Sequence, residues 1–295
     1  VRAFRWYIPW VLVAPALIWV LVFALWPFLN TVVLSFTDAR PLTGGSFVGL
    51  ENYQALLTDQ RFWNALVTSL AYVVLSVPFL TVLPLLLALL VEKQIPGISA
   101  FRTTFYFPVI ASVVVVGLIW TWLFDSRGIV NEALEFIGLI QEPIPFLASR
   151  WGLILTAVLL TVWKGLGYYM VVYLAALGNV GRELHEAAAM DGANSLRRLL
   201  SVTIPGVRGA MFLVSALITV SAMRVFTELY VLSNGSGGPG GSAASIVMLV
   251  QQTGSGLQGR LGYASAVSVA LFLLTIGPLL LVAYLNRGDK PAKGA

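Results

Sequence analysis

Residues 151–206 read WGLILTAVLLTVWKGLGYYMVVYLAALGNVGRELHEAAAMDGANSLRRLLSVTIPG, and the change of character after Leu177 decides how the chain is built. Up to Leu177 the run is apolar and exceeds the roughly 20 residues that a helix needs to cross a bilayer. Over 178–206 it becomes polar yet stays helix-forming. Glu183, His185 and Glu186 lead into Ala187, Ala188 and Ala189, and the run stops at Asp191-Gly192, a turn pair. A second short helix is predicted over 195–202, with Leu196, Leu199 and Leu200 at helical spacing beside Arg197 and Arg198. Pro205 then opens the next apolar run at a position where a missing N–H costs nothing. The connection is thus two short helices with Ala and Gly at the bend, and small residues let another backbone approach. These residues alone leave two readings open: a helical hairpin lying on a membrane, or a docking surface for a partner.

Working outward, the whole chain has the composition of a membrane protein, with 58% hydrophobic and only 11% charged residues among 295. Six segments pass the length and polarity test: 8–36, 63–91, 101–124, 151–177, 207–232 and 261–284. All are read as helices, because an open sheet edge has no partner in lipid and no ten-residue alternation recurs as a barrel requires. The fold class is therefore an all-α integral membrane protein of six transmembrane helices, one domain over 1–295. Pro15, Pro27, Pro78, Pro84 and Pro108 fall within spans and predict kinks. The absence of cysteine and the single histidine exclude a disulfide scaffold, a thiolate metal site and a His-rich metal site.

Charge sets the orientation. With a cytoplasmic N-terminus, the inside segments hold Arg2, Arg5, Lys93, Arg102, Arg182, Arg197, Arg198, Arg208, Arg287, Lys290 and Lys293. The outside segments hold only Arg40, Arg61, Arg127, Arg150 and Arg260. This asymmetry predicts both termini and 178–206 in the cytoplasm, and it makes the net charge of +5 a membrane-surface feature rather than a nucleic-acid one. Arg2 and Arg5 precede an apolar run longer than a signal-peptide core, so the first span is read as retained from Val1 onward. Trp6, Tyr7, Trp10, Trp63, Trp151 and Tyr284 read as interfacial anchors. Small amphipathic helices are expected over 47–57 and 127–146 at the outer face. The Gly-rich run 234–245 reads as a flexible turn, since no Gly-Lys-Ser/Thr phosphate-loop ending follows it.

Charges within spans are costly and mark protein interiors or watery cavities. In the fourth span Thr161, Lys164, Gly165 and Tyr168 share one helical face. In the fifth, Ser221, Arg224 and Glu228 share another, with Arg224 and Glu228 one turn apart and able to pair; Met223 and Thr227 are weaker candidates. Either set lines a substrate path or ties the bundle together, with Lys164 and Tyr169 also available as internal partners, including to Glu228. An ion-coupled secondary transporter would use intramembrane charges of this kind. A membrane enzyme would need a nucleophile–base constellation or paired carboxylates, and neither is present.

The connection 178–206 resembles the signature of the type-I importer permeases of ATP-binding-cassette systems, within them the carbohydrate branch that includes the maltose importer's membrane subunits. That signature is Glu-Ala-Ala, three residues, Gly, nine residues, then aliphatic, any, aliphatic and Pro. Glu186, Ala187, Ala188, Gly192, Val202, Ile204 and Pro205 match at every spacing, and Asp191 and Ala193 complete the usual Asp-Gly-Ala form. Phe47-Val48-Gly49-Leu50-Glu51-Asn52-Tyr53, Leu174-Ala175-Ala176-Leu177 and Gly237-Gly238-Pro239 are similar to family segments elsewhere, so the likeness covers nearly the whole chain. It implies that 178–206 couples to a separate ATPase. The implied partners are a second homologous permease, two cytoplasmic ATP-binding subunits that use ATP and Mg, an extracytoplasmic substrate-binding protein, and the lipid of a bacterial or archaeal inner membrane. The chain itself binds no cofactor and performs no bond chemistry. In relatives the region matching Trp163 and Gly165 contacts sugar, whereas Lys164 stands where many carry an uncharged residue. A sugar suits Tyr, Trp and Thr with a few charged partners; a glycerol-phosphate compound, also served by this branch, would suit two cations.

Overall fold

The computed structural model describes residues 7–92 and 96–285. Val1, Arg2, Arg5, Trp6, Lys93, Arg287, Lys290 and Lys293 lie outside the described residues. In chain order the helices are α1 (Ile8–Leu34), α2 (Glu51–Thr58), α3 (Gln60–Val91), α4 (Ile98–Ile110), α5 (Val113–Leu123) and α6 (Ile129–Phe136), followed by α7 (Arg150–Leu177), α8 (Arg182–Met190), α9 (Ser195–Met223), α10 (Thr227–Leu232), α11 (Ile246–Gly254) and α12 (Leu261–Leu285). The β pairing among the described residues is confined to isolated bridges, Thr37 with Phe47 and Arg40 with Gly44. Helices α1, α3, α7, α9 and α12 are long and apolar enough to cross a membrane. The sixth candidate span is the α4–α5 pair, bent by 95°.

Three expectations about continuity are corrected. Residues 101–124 are not one kinked helix. Ala111 (ψ 138°) and Ser112 (ψ 127°) are both extended, so α4 ends and α5 restarts. Pro108, inside the last turn of α4, has no N–H to hold that turn closed. Nor are residues 207–232 one helix, since α9 ends at Met223 and α10 begins at Thr227. The Ser245 hydroxyl donates to the Val225 carbonyl at 2.6 Å, satisfying a backbone group that the break frees. Third, the helix starting at Ser195 is not separate from the fifth span but runs into it as α9. A wide π turn at Leu199–Thr203 ends two residues before Pro205, and another at Leu21–Leu25 ends two residues before Pro27. Widening the turn makes room for a ring that would otherwise strike the preceding carbonyls. Pro15, Pro78 and Pro84 lie within continuous helices.

The chain forms two compact units, residues 1–62 with 249–273, and 63–248 with 274–295. In the first, α1 buries none of its residues. Asn52 of α2 is buried and donates from Nδ2 to the carbonyls of Ser35 (2.9 Å) and Thr37 (2.7 Å). Gly262 passes so close to the Thr37 carbonyl that no side chain would fit. The Tyr263 hydroxyl donates to Asp59 Oδ2 at 2.7 Å, and the Arg61 N–H to Asp59 Oδ1 at 2.9 Å. Partial burial works to raise the Asp59 carboxyl, but these donors and the Arg61 charge outweigh it and hold the group below the ordinary aspartate value. Asp59 therefore stabilises the fold above the unfolded-state value, and that contribution disappears as pH falls through and below about 4. Thermal unfolding of the purified protein is expected to show this acid-side loss, and Asp59→Asn to flatten it; an unchanged pH slope in the variant would place the acid sensitivity elsewhere.

In the second unit the core is aliphatic and centred on α7, whose Leu153, Ile154, Ala157, Leu160, Met170 and Tyr173 are fully enclosed against Leu80 and Ala88 of α3 and Val214 and Ile218 of α9. The Gly-rich run is a turn, but a closely packed one. The Gly237 N–H donates to Ser233 Oγ, the Ala243 N–H to the Gly237 carbonyl, and Ala243 is fully buried. The two expected short amphipathic helices are present as α2 and α6. Trp10, Trp63, Trp151 and Tyr284 are all exposed.

Candidate functional site

The α9–α10 break opens onto a cavity of about 340 Å³ in the second unit, which Val109 beside the α4–α5 break also touches and which is lined by Thr161, Lys164, Gly165, Tyr168, Ser221, Arg224, Thr227 and Glu228. These eight of the span residues singled out from the sequence thus converge, although Ser221, Arg224 and Glu228 do not share one helix face. They meet because the α9–α10 break wraps the cavity: Ser221 and Arg224 approach from one side of it and Thr227 and Glu228 from the other. Irregular backbone at membrane depth is tolerated where it lines such a space.

Sequence reasoning did not pick out Tyr72, Ser76 and Leu80 of α3, Val109 of α4, Ile218 and Ala222 of α9, or Val225 and Phe226 in the second break, which line the cavity together with Tyr169. Tyr72 is fully buried, donates to the Ala157 carbonyl at 3.2 Å and shares a short hydrogen bond with Thr161 Oγ1. Its signal was available: Ser69, Tyr72 and Ser76 recur on one face of an otherwise aliphatic helix. Trp163 does not line the cavity. It packs on Trp120 with ring centroids 6.2 Å apart. Met223 is fully buried outside it.

The charges divide the work. Lys164 Nζ donates to the Pro108 carbonyl at 2.9 Å and to the Ala111 carbonyl, the two backbone groups flanking the end of α4. Glu228 lies within electrostatic reach of Lys164, yet neither Lys164 nor Arg224 forms an ion pair with it among the described residues. The expected Arg224–Glu228 pair is therefore absent, for the same reason that their common face is: the chain breaks between them. Arg224 is exposed on the cavity wall. A larger crevice of about 860 Å³ runs among the loops at Trp122, Asp125, Arg127, Asn234 and Pro239. None of the substrate-path or coupling residues proposed from the sequence lines it.

The connection 178–206 presents α8 with no buried residue, and Glu186, Ala187, Asp191 and Gly192 are exposed. Leu184, Met190 and Leu196 are exposed beside them. Helix α8 closes in a Schellman cap: the Gly192 N–H reaches the Ala189 carbonyl (3.0 Å) and the Ala193 N–H the Ala188 carbonyl (2.9 Å), with Gly192 at φ +77°. Asn194 then caps α9 by accepting the Arg197 N–H at 2.9 Å. Val202 lies in the π turn, with Ile204 and the exposed Pro205 directly after it.

Residues 42–288 match the family of binding-protein-dependent transport system inner membrane components. The chain is 31% identical over 283 residues to the lactose transport system permease protein LacF of Rhizobium radiobacter, covering 95% of this chain and 94% of that one. It is also 31% identical over 290 residues to the arabinooligosaccharides transport system permease protein AraP of Halalkalibacterium halodurans, covering 96% and 90%. A chain of a bacterial alginate transporter, solved in complex with an alginate pentasaccharide-bound periplasmic protein, shares the fold, with a TM-score of 0.81 at 24% identity over 95% of this chain and 94% of that one. With a family match over most of its length and relatives covered nearly end to end, this chain belongs to the binding-protein-dependent transport system inner membrane components, the multi-pass permeases of prokaryotic ATP-binding-cassette importers.

Proposed function

We propose that this permease forms half of the translocation pathway of a sugar or oligosaccharide importer, with the cavity at the two helix breaks as the substrate path and α8 with the start of α9 as the coupling surface. The observation that carries the reading is α8, which buries none of its residues, bears Glu186 and ends in a Schellman cap at Gly192, in a chain of this family. The charge asymmetry supports a topology with both termini and 178–206 in the cytoplasm. The complete importer then contains a second permease, two cytoplasmic ATP-binding subunits that consume ATP, and an extracytoplasmic binding protein that delivers substrate. Closure of the ATPase dimer moves the spans as rigid bodies through the coupling surface. The sugar is met by hydroxyl and aromatic groups of Thr161, Tyr168, Ser221 and Thr227, by the donor-only guanidinium of Arg224 and by the acceptor Glu228, while Gly165 leaves room for a ring. A glycerol-phosphate substrate is disfavoured because the second cation it would need, Lys164, is already held by two backbone carbonyls. Ion coupling through Lys164, Arg224 and Glu228 is set aside with the family membership.

Purification from the native membrane tests this reading. An ATPase, a second permease and ATP hydrolysis are expected in the purified complex, and a chain that comes alone under conditions preserving other importers would overturn it. Arg224→Ala is expected to raise the KM for sugar uptake about tenfold, the loss of one hydrogen bond to a charged group, while the ATPase still co-purifies. An unchanged KM would remove Arg224 from the path.

A further inference from the structure

Lys164 stands at the boundary between the cavity and the α4–α5 break, and its two hydrogen bonds have a specific meaning there. In an uninterrupted helix through 98–123 the Pro108 carbonyl would accept from the Ser112 N–H and the Ala111 carbonyl from the Val115 N–H. The break removes both donors, because Ala111 and Ser112 are extended and α5 begins afresh. Lys164 Nζ supplies both missing bonds at once, with its positive charge at the negative end of the α4 dipole. One turn further along α7, Gly167 lets the Phe105–Tyr106 backbone of α4 lie directly on α7. On the other arm, Gly117 of α5 lies against Val231 of α10, where an added Cβ would be 2.8 Å from Val231 Cγ1. The two arms of the bent pair are thus seated on different helices, α7 and α10, each of which contributes other residues to the cavity, and Val109, beside the break, lines it.

We infer that Lys164 is a positioning residue: its ammonium holds the α4–α5 span in its bent form, and so fixes the aperture of the cavity, by replacing the two backbone donors that a straight helix would provide. Straightening would return those donors to the carbonyls, so the bent form loses its advantage when Nζ is removed. The bearing on transport rests on the substrate path proposed above; the bend itself does not, and the two are read separately.

The chain has no cysteine, so a cysteine pair at the exposed positions Phe101 and Trp122 can carry spin labels without background from this chain, in an importer purified with its other subunits freed of cysteine. Each position lies ten residues from the break, about 15 Å at the helical rise. A right-angle bend therefore holds the helix axes about 20 Å apart at these points, and a straight span about 30 Å. Lys164→Met is expected to move the distance distribution toward the longer value and to lower maximal uptake about tenfold, with Lys164→Arg restoring both. A wild-type distribution in Lys164→Met, whether or not uptake is lost, overturns the inference; lost uptake there would make Lys164 a substrate contact. If the Met variant does not assemble, Lys164→Gln, which keeps an N–H donor on a shorter side chain, takes its place with an intermediate lengthening expected and an unchanged distance again overturning. Glu228→Gln is expected to leave the distance unchanged. A lengthening there would assign the bend to charge attraction across the cavity and also overturn the inference. Failure of the ATPase to co-purify with the wild-type chain would defeat the proposed function but would not move the label distance.

Discussion

Gly192→Val is expected to abolish sugar uptake and release the ATPase, while the purified chain keeps the helical content and thermal midpoint of the wild type. Gly192 sits at φ +77° in the Schellman cap that ends α8. A β-branched residue in that left-handed conformation meets its own backbone, at a cost of at least about 1–2 kcal/mol. A side chain there would find nothing else within 4 Å, so the penalty is purely conformational and the remainder of the protein has no reason to respond. What changes is the direction in which the chain leaves α8, and with it the placement of exposed Glu186 relative to the start of α9. Gly192→Asn is the control, since asparagine tolerates the left-handed region, and uptake close to wild type is expected from it. The measurement is the amount of ATPase retained on the purified permease together with uptake by cells. Full retention with Gly192→Val would mean that the cap geometry is not what the ATPase recognises.

The sequence carried the long helices because their length and apolarity are set by the solvent, not by neighbours. The expected run 151–177 and the observed Arg150–Leu177 differ by one residue, and 63–91 became Gln60–Val91. It did not carry the breaks, because a break within an apolar span depends on who takes the freed carbonyls. At Ala111 the partner is Lys164, and at Val225 it is Ser245, 53 and 20 residues away in the chain. No local pattern in FPVIAS or RVFTE names those partners. Helical spacing also picked out residues that line the cavity, but for a reason that holds on only one of its two helices. Thr161, Lys164, Gly165 and Tyr168 do share a face of the unbroken α7. Ser221, Arg224 and Glu228 converge because the helix between them stops, a geometry that periodicity does not encode. Tyr72 escaped attention because hydropathy treats a tyrosine in an apolar run as filler, whereas burial turns its hydroxyl into an obligation that Ala157 and Thr161 meet.

Two glycines of α7, two residues apart, are expected to respond oppositely to the same small change. At Gly165 an added Cβ would meet the Leu80 Cδ2 methyl at 2.8 Å and otherwise ordinary contacts at 3.5 Å. A leucine side-chain end can rotate by the few tenths of an ångström required, so Gly165→Ala is expected to fold, assemble and lower uptake by narrowing the cavity. At Gly167 the added Cβ would run into the Phe105 carbonyl oxygen and lie 2.8 Å from Tyr106 Cα. Backbone has no rotamer to escape into, so α4 must lift off α7, breaking the close packing beside Lys164 and the bonds that Lys164 makes. Overpacking of a buried site costs about 1–3 kcal/mol and more where the backbone must move, and Gly167→Ala is expected at or beyond the upper end of that range. Thermal unfolding of the two purified variants decides the matter: a near-wild-type midpoint for Gly165→Ala beside a drop of several degrees or loss of folded protein for Gly167→Ala. Equal midpoints would mean that α4 is free to shift on α7, and the seat on which the bent span depends would then be no seat at all.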